Sequence, residues 1–378
     1  MASVLNEVGI EVSGKIMVHD KVDEIVDIIS YVYNKVDLVI LSGGLGPTID
    51  DLTKEAISGF LKKDLVVDEL HKSEMERKFS ERGIKVLAKN LKEVSVIEGS
   101  KVFYNEPGIA PAFCIDKIVA FPGVPVELKN MFPKYIDFIK EKYSLKKSLI
   151  VKDFIVWGIP ESVLEEKVIS LFTDEKVFLE FLVKDYGIVL RLVTQEENKD
   201  LIEGLSKSLY DILGEAILYE RNRPSEEVLV EELINKKLSI SLAESCTGGL
   251  ICEKLVSVSG ASQVLLEGLV TYSNEAKVKR LGVKKETLYD FGAVSEETVR
   301  EMLKGLETDI GIAVSGIAGP LGGTVEKPVG TVFIGIKFKN EYIITKHLFK
   351  GDREKIRLRA SYEAISSLLK ILKKRGCK

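Results

Sequence analysis

The stretch Ala243-Glu244-Ser245-Cys246-Thr247-Gly248-Gly249 sets two hydroxyls and a thiol beside an acid, directly before a Gly-Gly pair. The apolar run at 238–242 reads as a buried strand, and Leu250–Val256 reads as a helix. A strand that ends in small hydroxyl residues and glycines leaves main-chain N–H groups at a helix N-terminus. An anion or a developing oxyanion is stabilised there. With only His19, His71 and His347 in the chain, a histidine-based triad or zinc site has little to draw on. The chemistry must come from hydroxyls, lysine, carboxylates and main-chain amides. A serine activated by lysine is one such arrangement. Cys246 is intrinsically the stronger nucleophile, and the spacing of residues does not exclude it.

Further loops of the same kind follow: Thr271-Tyr272-Ser273-Asn274-Glu275-Ala276-Lys277, Gly292-Ala293-Val294-Ser295-Glu296, Ser315-Gly316-Ile317-Ala318-Gly319-Pro320, Gly322-Gly323-Thr324 and Gly351-Asp352-Arg353. Singly, Lys277 reads as a solvated helix residue, Tyr272 as an aromatic at a strand end, and 315–320 as a turn. Three Gly-and-hydroxyl loops that each follow an apolar strand would converge at the carboxyl ends of an open α/β sheet, where ligands bind. Lys277 can act as a base only if desolvation or nearby positive charge lowers its pKa. Arg353 and Arg357 could supply that charge or bind a phosphate.

Near the N-terminus, Gly43-Gly44-Leu45-Gly46-Pro47-Thr48-Ile49-Asp50-Asp51-Leu52-Thr53 combines glycines, hydroxyls and paired carboxylates at a strand-to-helix turn. Glycines let main chain approach a ligand, and a helix N-terminus favours phosphate. The plainer reading is that Asp50 or Asp51 caps the helix.

The elements that must carry these loops alternate. Apolar residues at helical spacing over 22–36 precede a buried strand at 37–41 and a helix at 51–62. A strand at 117–121 turns at Pro122-Gly123-Val124-Pro125 into a helix near Glu127. Such alternation predicts a parallel, doubly wound sheet. The middle reads β (148–156), α (160–172), β (176–183), β (188–193), α (199–213), a small α+β module. After Arg221-Asn222-Arg223-Pro224 a helix begins at Ser225. Strands follow at 238–242, 264–272, 310–315, 329–337 and 342–348, closed by a helix over 353–373. The predicted class is α/β throughout, with domains at 1–145, 146–222 and 223–378.

Composition narrows the partners. With 54 basic and 58 acidic residues, the net charge of −4 gives no basic field for nucleic acid. The longest apolar runs, 38–41 and 310–314, fall far short of the ~18 residues of a membrane span. No signal peptide is visible at 1–20. Cys114, Cys246, Cys252 and Cys377 lack disulfide or zinc spacing and fit a reducing cytoplasm.

Gly43-Gly44-x-Gly46-x-x-x-x-Asp51-x-Thr53, followed by Pro122-Gly123-x-Pro125-x-Glu127, resembles the molybdopterin-binding fold, in the version found in the competence/damage-inducible CinA family. The resemblance spans residues 1 to about 220. It implies metal-dependent hydrolysis of ADP-ribose by this domain, with magnesium or cobalt and also potassium as the expected ions. It places Gly43, Gly44, Gly46, Thr48, Asp50, Asp51, Thr53 and Glu127 in the pocket and Asp20 and Asp51 near the metal. The family begins with a strand and a Gly-Thr-Glu-Leu-type loop, whereas Met1-Ala2-Ser3-Val4-Leu5-Asn6 matches the helix after them. A first strand is therefore expected to be missing, and with it the N-terminal activity.

The loops over 225–375 resemble the C-terminal domain of the same family, the nicotinamide mononucleotide deamidases. The resemblance implies hydrolysis of the nicotinamide carboxamide to nicotinate mononucleotide and ammonia, with no cofactor. It implies Ser245, Tyr272 and Lys277 as the catalytic group. Thr247, Gly248, Gly249, Ser315, Gly316, Gly323, Thr324, Arg353 and Arg357 are then expected to bind substrate, and a cytoplasmic homodimer is the expected state. Two rivals remain: ADP-ribose cleavage by the N-terminal domain, and a protein that binds a nucleotide or pterin without turnover.

Overall fold

The computed structural model describes residues 1–378 except 2, 3, 6, 7, 144, 146–148, 174, 175, 377 and 378. Of the expected helical start at 1–6, residues 2, 3 and 6 lie outside the described residues, as does Cys377, and Val4 and Leu5 are helical. The chain forms two compact units, Met1–Leu149 and Ile150–Lys378. The class is α/β, with mixed sheets.

In the first unit the main sheet has the order β1 (Val39–Ser42), β6 (Ile118–Phe121), β5 (Ala112–Ile115), β4 (Lys101–Phe103). Only β1 and β6 run parallel; β5 and β4 are antiparallel, so the expected parallel sheet is mixed. The reason is local. Ile115 pairs with Ile118 across a two-residue turn, and Asp116 takes the left-handed conformation that such a turn needs. A second ribbon pairs β2 (Leu65–Val67) with β3 (Ser95–Ile97). These short strands escape periodicity, as does the polar helix Glu69–Glu81. Leu5, with Val8, Ile10 and Val12, packs onto the face made by Phe103, Val119, Phe121 and Tyr135.

In the second unit, β7 (Leu149–Val156), β8 (Val177–Lys184), β9 (Gly187–Gln195) and β10 (Ile217–Glu220) form a sheet of order β10-β7-β9-β8. The strand β10 completes a βαββαβ module where βαββα was expected. Its four residues are too short to show a period.

The larger sheet has the order β12 (Leu265–Val270), β11 (Ile240–Glu244), β13 (Ile310–Gly316), β14 (Thr331–Phe338), β15 (Glu341–Leu348). The first three strands are parallel, and β14 and β15 are antiparallel hairpin partners. One face packs on the helices Ser225–Lys236, Leu250–Val256 and Arg353–Gly376 through Leu242, Val314, Ile365 and Leu368. The other packs on Asn274–Leu281 and Glu296–Lys304 through Ala243, Leu281, Val299 and Met302. The strands following β11 in sequence lie on opposite sides of it. Its carboxyl end is thus the switch point at which an open α/β sheet binds ligands.

Gly330 shapes the loop beside that end. Its φ is +95°, its amide donates to the Ile317 carbonyl at 2.8 Å, and a Cβ there would lie 2.0 Å from the Phe349 carbonyl oxygen. Gly330→Ala should destabilise this unit by about 1–3 kcal/mol or more, from the strained conformation with the clash added. Thermal denaturation compared with wild type measures it, and an unchanged midpoint would refute the packing described.

Candidate active site

In-register pairing brings three loops level. Glu244 pairs with Val270 on one side and Val314 on the other. Beyond them the Ser245 amide donates to the Val314 carbonyl at 2.9 Å, and the Thr271 amide to the Glu244 carbonyl at 2.8 Å. Ser245, Thr271 and Ser315 therefore stand side by side at the carboxyl edge. Asn274–Leu281 starts just after β12, with the Ser273 hydroxyl accepting from the Ala276 amide at 3.1 Å as an N-cap. That start aims Lys277, one turn in, back under the sheet edge.

Lys277 is 1 % exposed. Its Nζ lies 3.0 Å from Ser245 Oγ, 2.8 Å from the Thr271 carbonyl oxygen and 3.5 Å from that of Tyr272. Among the described residues no carboxylate pairs with it. Burial lowers its pKa below the ordinary 10.5. The solvated lysine of the plainer reading is thus a buried one. A neutral amine can direct two N–H bonds at the two carbonyls and keep its lone pair for the Ser245 hydroxyl.

The pocket above this pair measures about 180 Å³ and is lined by Ser245, Cys246, Tyr272, Lys277, Ser315, Gly316 and Arg353, with Ala293, Val294 and Ala318. The three small apolar residues were not among the expected site residues, although their motifs stand out in the sequence. Only their convergence shows that they wall the pocket. The Ser315 hydroxyl donates to the Ala293 carbonyl at 2.6 Å, tying two walls together. Tyr272 sits on the rim, its ring largely exposed, and its hydroxyl accepts from Arg353 Nη2 at 2.8 Å. Arg353 Nη1 donates to the Gly319 carbonyl at 2.7 Å.

Other expected substrate contacts are placed elsewhere. Thr247 is fully buried outside the pocket lining, and its carbonyl accepts from Arg357 Nη2 at 2.8 Å. Arg357 thus braces the loop; burial, and not either arginine, is what lowers the Lys277 pKa. Gly323 and Thr324 lie in an exposed turn closed by the Thr324 amide on the Lys327 carbonyl at 2.9 Å. The Gly248 amide donates to the Ser245 carbonyl, and the Gly249 amide to Glu244. The helix N-terminus expected to receive an anion is therefore engaged. The Cys246 and Thr247 amides donate to no main-chain oxygen among the described residues, and the Cys246 amide bonds its own sulfur. Burial pushes the Cys246 thiol up to about 12, so it stays protonated at neutral pH.

In the first unit the glycines of the 43–53 loop serve its own folding. A Cβ at Gly44 would lie 2.3 Å from Thr53 Oγ1, and one at Gly46 would lie 2.5 Å from Asp51 Oδ2. Thr53 Oγ1 donates to the Gly43 carbonyl at 2.8 Å. The Thr48 amide donates to Asp51 at 3.0 Å, and the Thr48 hydroxyl contacts both Asp50 and Asp51. Burial opposes the ionised Asp51, yet the Thr48 bonds hold its pKa below the usual value. Glu127 accepts from Asn105 Nδ2 at 2.9 Å. Asp20 is exposed in a segment without regular structure. Among the described residues no three His, Cys, Asp or Glu side chains gather as a metal site. The donor set of the described residues does not fit the divalent ion that the resemblance implies. Among the described residues, no helix is long and apolar enough to cross a membrane.

Residues 222–372 match the CinA C-terminal domain family, and residues 1–141 match the probable molybdopterin binding domain family. The chain is 53% identical over 378 residues to a CinA-like protein of Fusobacterium nucleatum subsp. nucleatum, covering 99% of this chain and 94% of that protein. It is 40% identical over 387 residues to a putative competence-damage inducible protein of Clostridium beijerinckii, covering 98% and 94%. The crystal structure of competence/damage inducible protein CihA from Agrobacterium tumefaciens aligns at 39% identity over 40% of this chain and 98% of that one, with a TM-score of 0.38. With identity of this level running across both units, the chain belongs to the CinA family.

Proposed function

We propose that this protein is an amidohydrolase acting on nicotinamide mononucleotide, with Ser245 as nucleophile and Lys277 as its base. The observation that carries the reading is the buried amine of Lys277, 3.0 Å from Ser245 Oγ and held by main-chain carbonyls. A charged lysine in such a place would cost several kcal/mol without a partner, so the surroundings favour the neutral form that can accept a proton.

In the first half-reaction Lys277 takes the Ser245 proton as Oγ attacks the carboxamide carbon. The oxyanion points at the Cys246 and Thr247 amides. The Lys277 ammonium then returns its proton to the leaving nitrogen, and ammonia departs from an acyl-serine. Water, deprotonated by Lys277, attacks that ester and restores Ser245 with release of the nicotinate product. Arg353, the cation at the pocket mouth, suits the substrate phosphate, and the Tyr272 hydroxyl holds its guanidinium in place. The same geometry would serve other small amides. The nucleotide assignment rests on the family resemblance together with Arg353.

Ammonia release from nicotinamide mononucleotide tests the reading directly. Ser245→Ala and Lys277→Ala should each abolish turnover, and the double variant should be little worse than either, because the two act as one unit. Cys246→Ser should retain substantial activity. An active Ser245→Ala beside an inactive Cys246→Ser would move the nucleophile by one residue and overturn the mechanism.

The pH profile gives an independent check. The base must be neutral, so kcat/KM should rise with pH through an acid-side limb whose midpoint lies below the ordinary lysine value of 10.5. A profile that stays flat over about pH 6 to 10 would remove Lys277 from the role of titrating base.

The first unit should hydrolyse ADP-ribose poorly or not at all, since Asp51 is bound up in its own turn and Asp20 stands apart on the surface. Robust magnesium- or cobalt-dependent cleavage by this chain, lost on Asp51→Asn, would show that reading to be mistaken.

A further inference from the structure

Glu244 takes no part in the proton transfers assigned above, yet it directly precedes Ser245 and is only 1 % exposed. Its main chain is clamped between β12 and β13. From there the carboxylate turns beneath the loop. Oε2 accepts from the Gly249 amide at 3.0 Å and the Ile251 amide at 3.2 Å, and Oε1 accepts from the Cys252 amide at 2.8 Å. The leading amides of Leu250–Val256 are taken up by a side chain from the preceding strand.

A helix N-terminus is a usual device for turning a cysteine into a reactive thiolate. Cys246, four residues before Leu250, instead packs toward β13, so closely that a Cβ at Gly316 would lie 3.0 Å from its Sγ. The charged groups that face the thiol are Glu244 from its own loop, Lys277 from Asn274–Leu281 and Arg357 from Arg353–Gly376. The lining residues of β13, Ser315 and Gly316, bring no charge. Burial is the largest influence against a thiolate and Glu244 adds to it; the residue's own amide and the two cations favour one.

We propose that Glu244 is a positioning residue: by holding the Gly249, Ile251 and Cys252 amides from within, it fixes the loop that carries Ser245, and its charge adds to the burial that keeps the adjacent Cys246 a neutral thiol, so that the hydroxyl is the nucleophile presented to substrate. The catalytic half of this proposal rests on the reading of Ser245 given above. The thiol half does not depend on any substrate. A simple helix cap would add modestly to stability and would leave the chemistry of Cys246 untouched.

The test is peptide-resolved alkylation of the folded, full-length chain by iodoacetamide across a pH series, in wild type, Glu244→Gln and Glu244→Asp. Gln keeps the shape and one acceptor but removes the charge; Asp keeps the charge. In Glu244→Gln burial remains, so the labelling midpoint of Cys246 should fall by up to about one pH unit, which is up to about a tenfold rise in thiolate at a given pH. Glu244→Asp should stay near wild type, and Cys114, in the other unit, should be unaffected by either change. Hydrolysis of nicotinamide mononucleotide by Glu244→Gln should fall in kcat by up to about 10²-fold as Ser245 loses its orientation, with KM changed far less. Faster labelling at every pH with an unmoved midpoint would mean that the loop had merely loosened, and would overturn the proposal. If Glu244→Gln fails to fold, wild type decides: Cys246 should stay unlabelled or titrate above Cys252, and a lower midpoint for Cys246 refutes the proposal. A wild type inactive on the nucleotide would sink the proposed function alone, since the thiol titration stands or falls without substrate.

Discussion

The second unit is organised around an amine that has no counter-ion among the described residues. Lys277 is almost wholly withdrawn from water, and its neighbours are carbonyl and hydroxyl oxygens. Burying a charged ammonium in this way would cost several kcal/mol, so the surrounding structure must hold it firmly and its proton loosely. The carbonyl of Thr271 comes from the end of β12, and the serine from the end of β11. The helix that presents the lysine is set by the Ser273 cap. Each contribution depends on parallel strands whose register brings their ends level. A slip of one residue in β11 would turn Ser245 to the opposite face.

The groups around the pair divide the remaining tasks. Glu244 anchors the loop from the strand side through three amides, and Arg357 anchors it from the last helix through the Thr247 carbonyl. Arg353 ties Gly319 and Tyr272 together across the mouth. Rigid support on both sides of a nucleophile matters because small misplacements of a reacting group are costly in rate. The pocket is small and partly polar, which suits an amide-bearing ring more than a large apolar ligand.

The first unit shows how a ligand-loop motif can be satisfied by its own folding. Gly44 and Gly46 are glycines because Thr53 and Asp51 occupy the space that a Cβ would need. The paired carboxylates Asp50 and Asp51 brace the turn through Thr48. Close approach of main chain to side chain demands glycine whether the neighbour is a ligand or the protein itself.

Much of the second unit was legible from residue order alone. Continuous apolar runs marked β11 and β13, and the Gly-and-hydroxyl loops after them marked the site, because buried parallel strands and sharp strand-to-helix turns each demand particular residue types. Ser245, Tyr272, Lys277, Ser315, Gly316 and Arg353 were all named from such loops, and they line one pocket. Short strands such as β4, β5 and β10 were not legible, since three or four residues hold too little of a period. The antiparallel turn at Asp116 was hidden for the same reason. Nor could spacing reveal that Glu244 fills the helix N-terminus, that Arg357 braces a loop, or that Thr324 stays on the surface. These depend on which carbonyls and amides meet across strands far apart in the chain. Residue types decided what chemistry the loops could support. Burial and hydrogen bonding, which exist only once the strands are paired, decided which lysine loses its water and which nucleophile stays neutral.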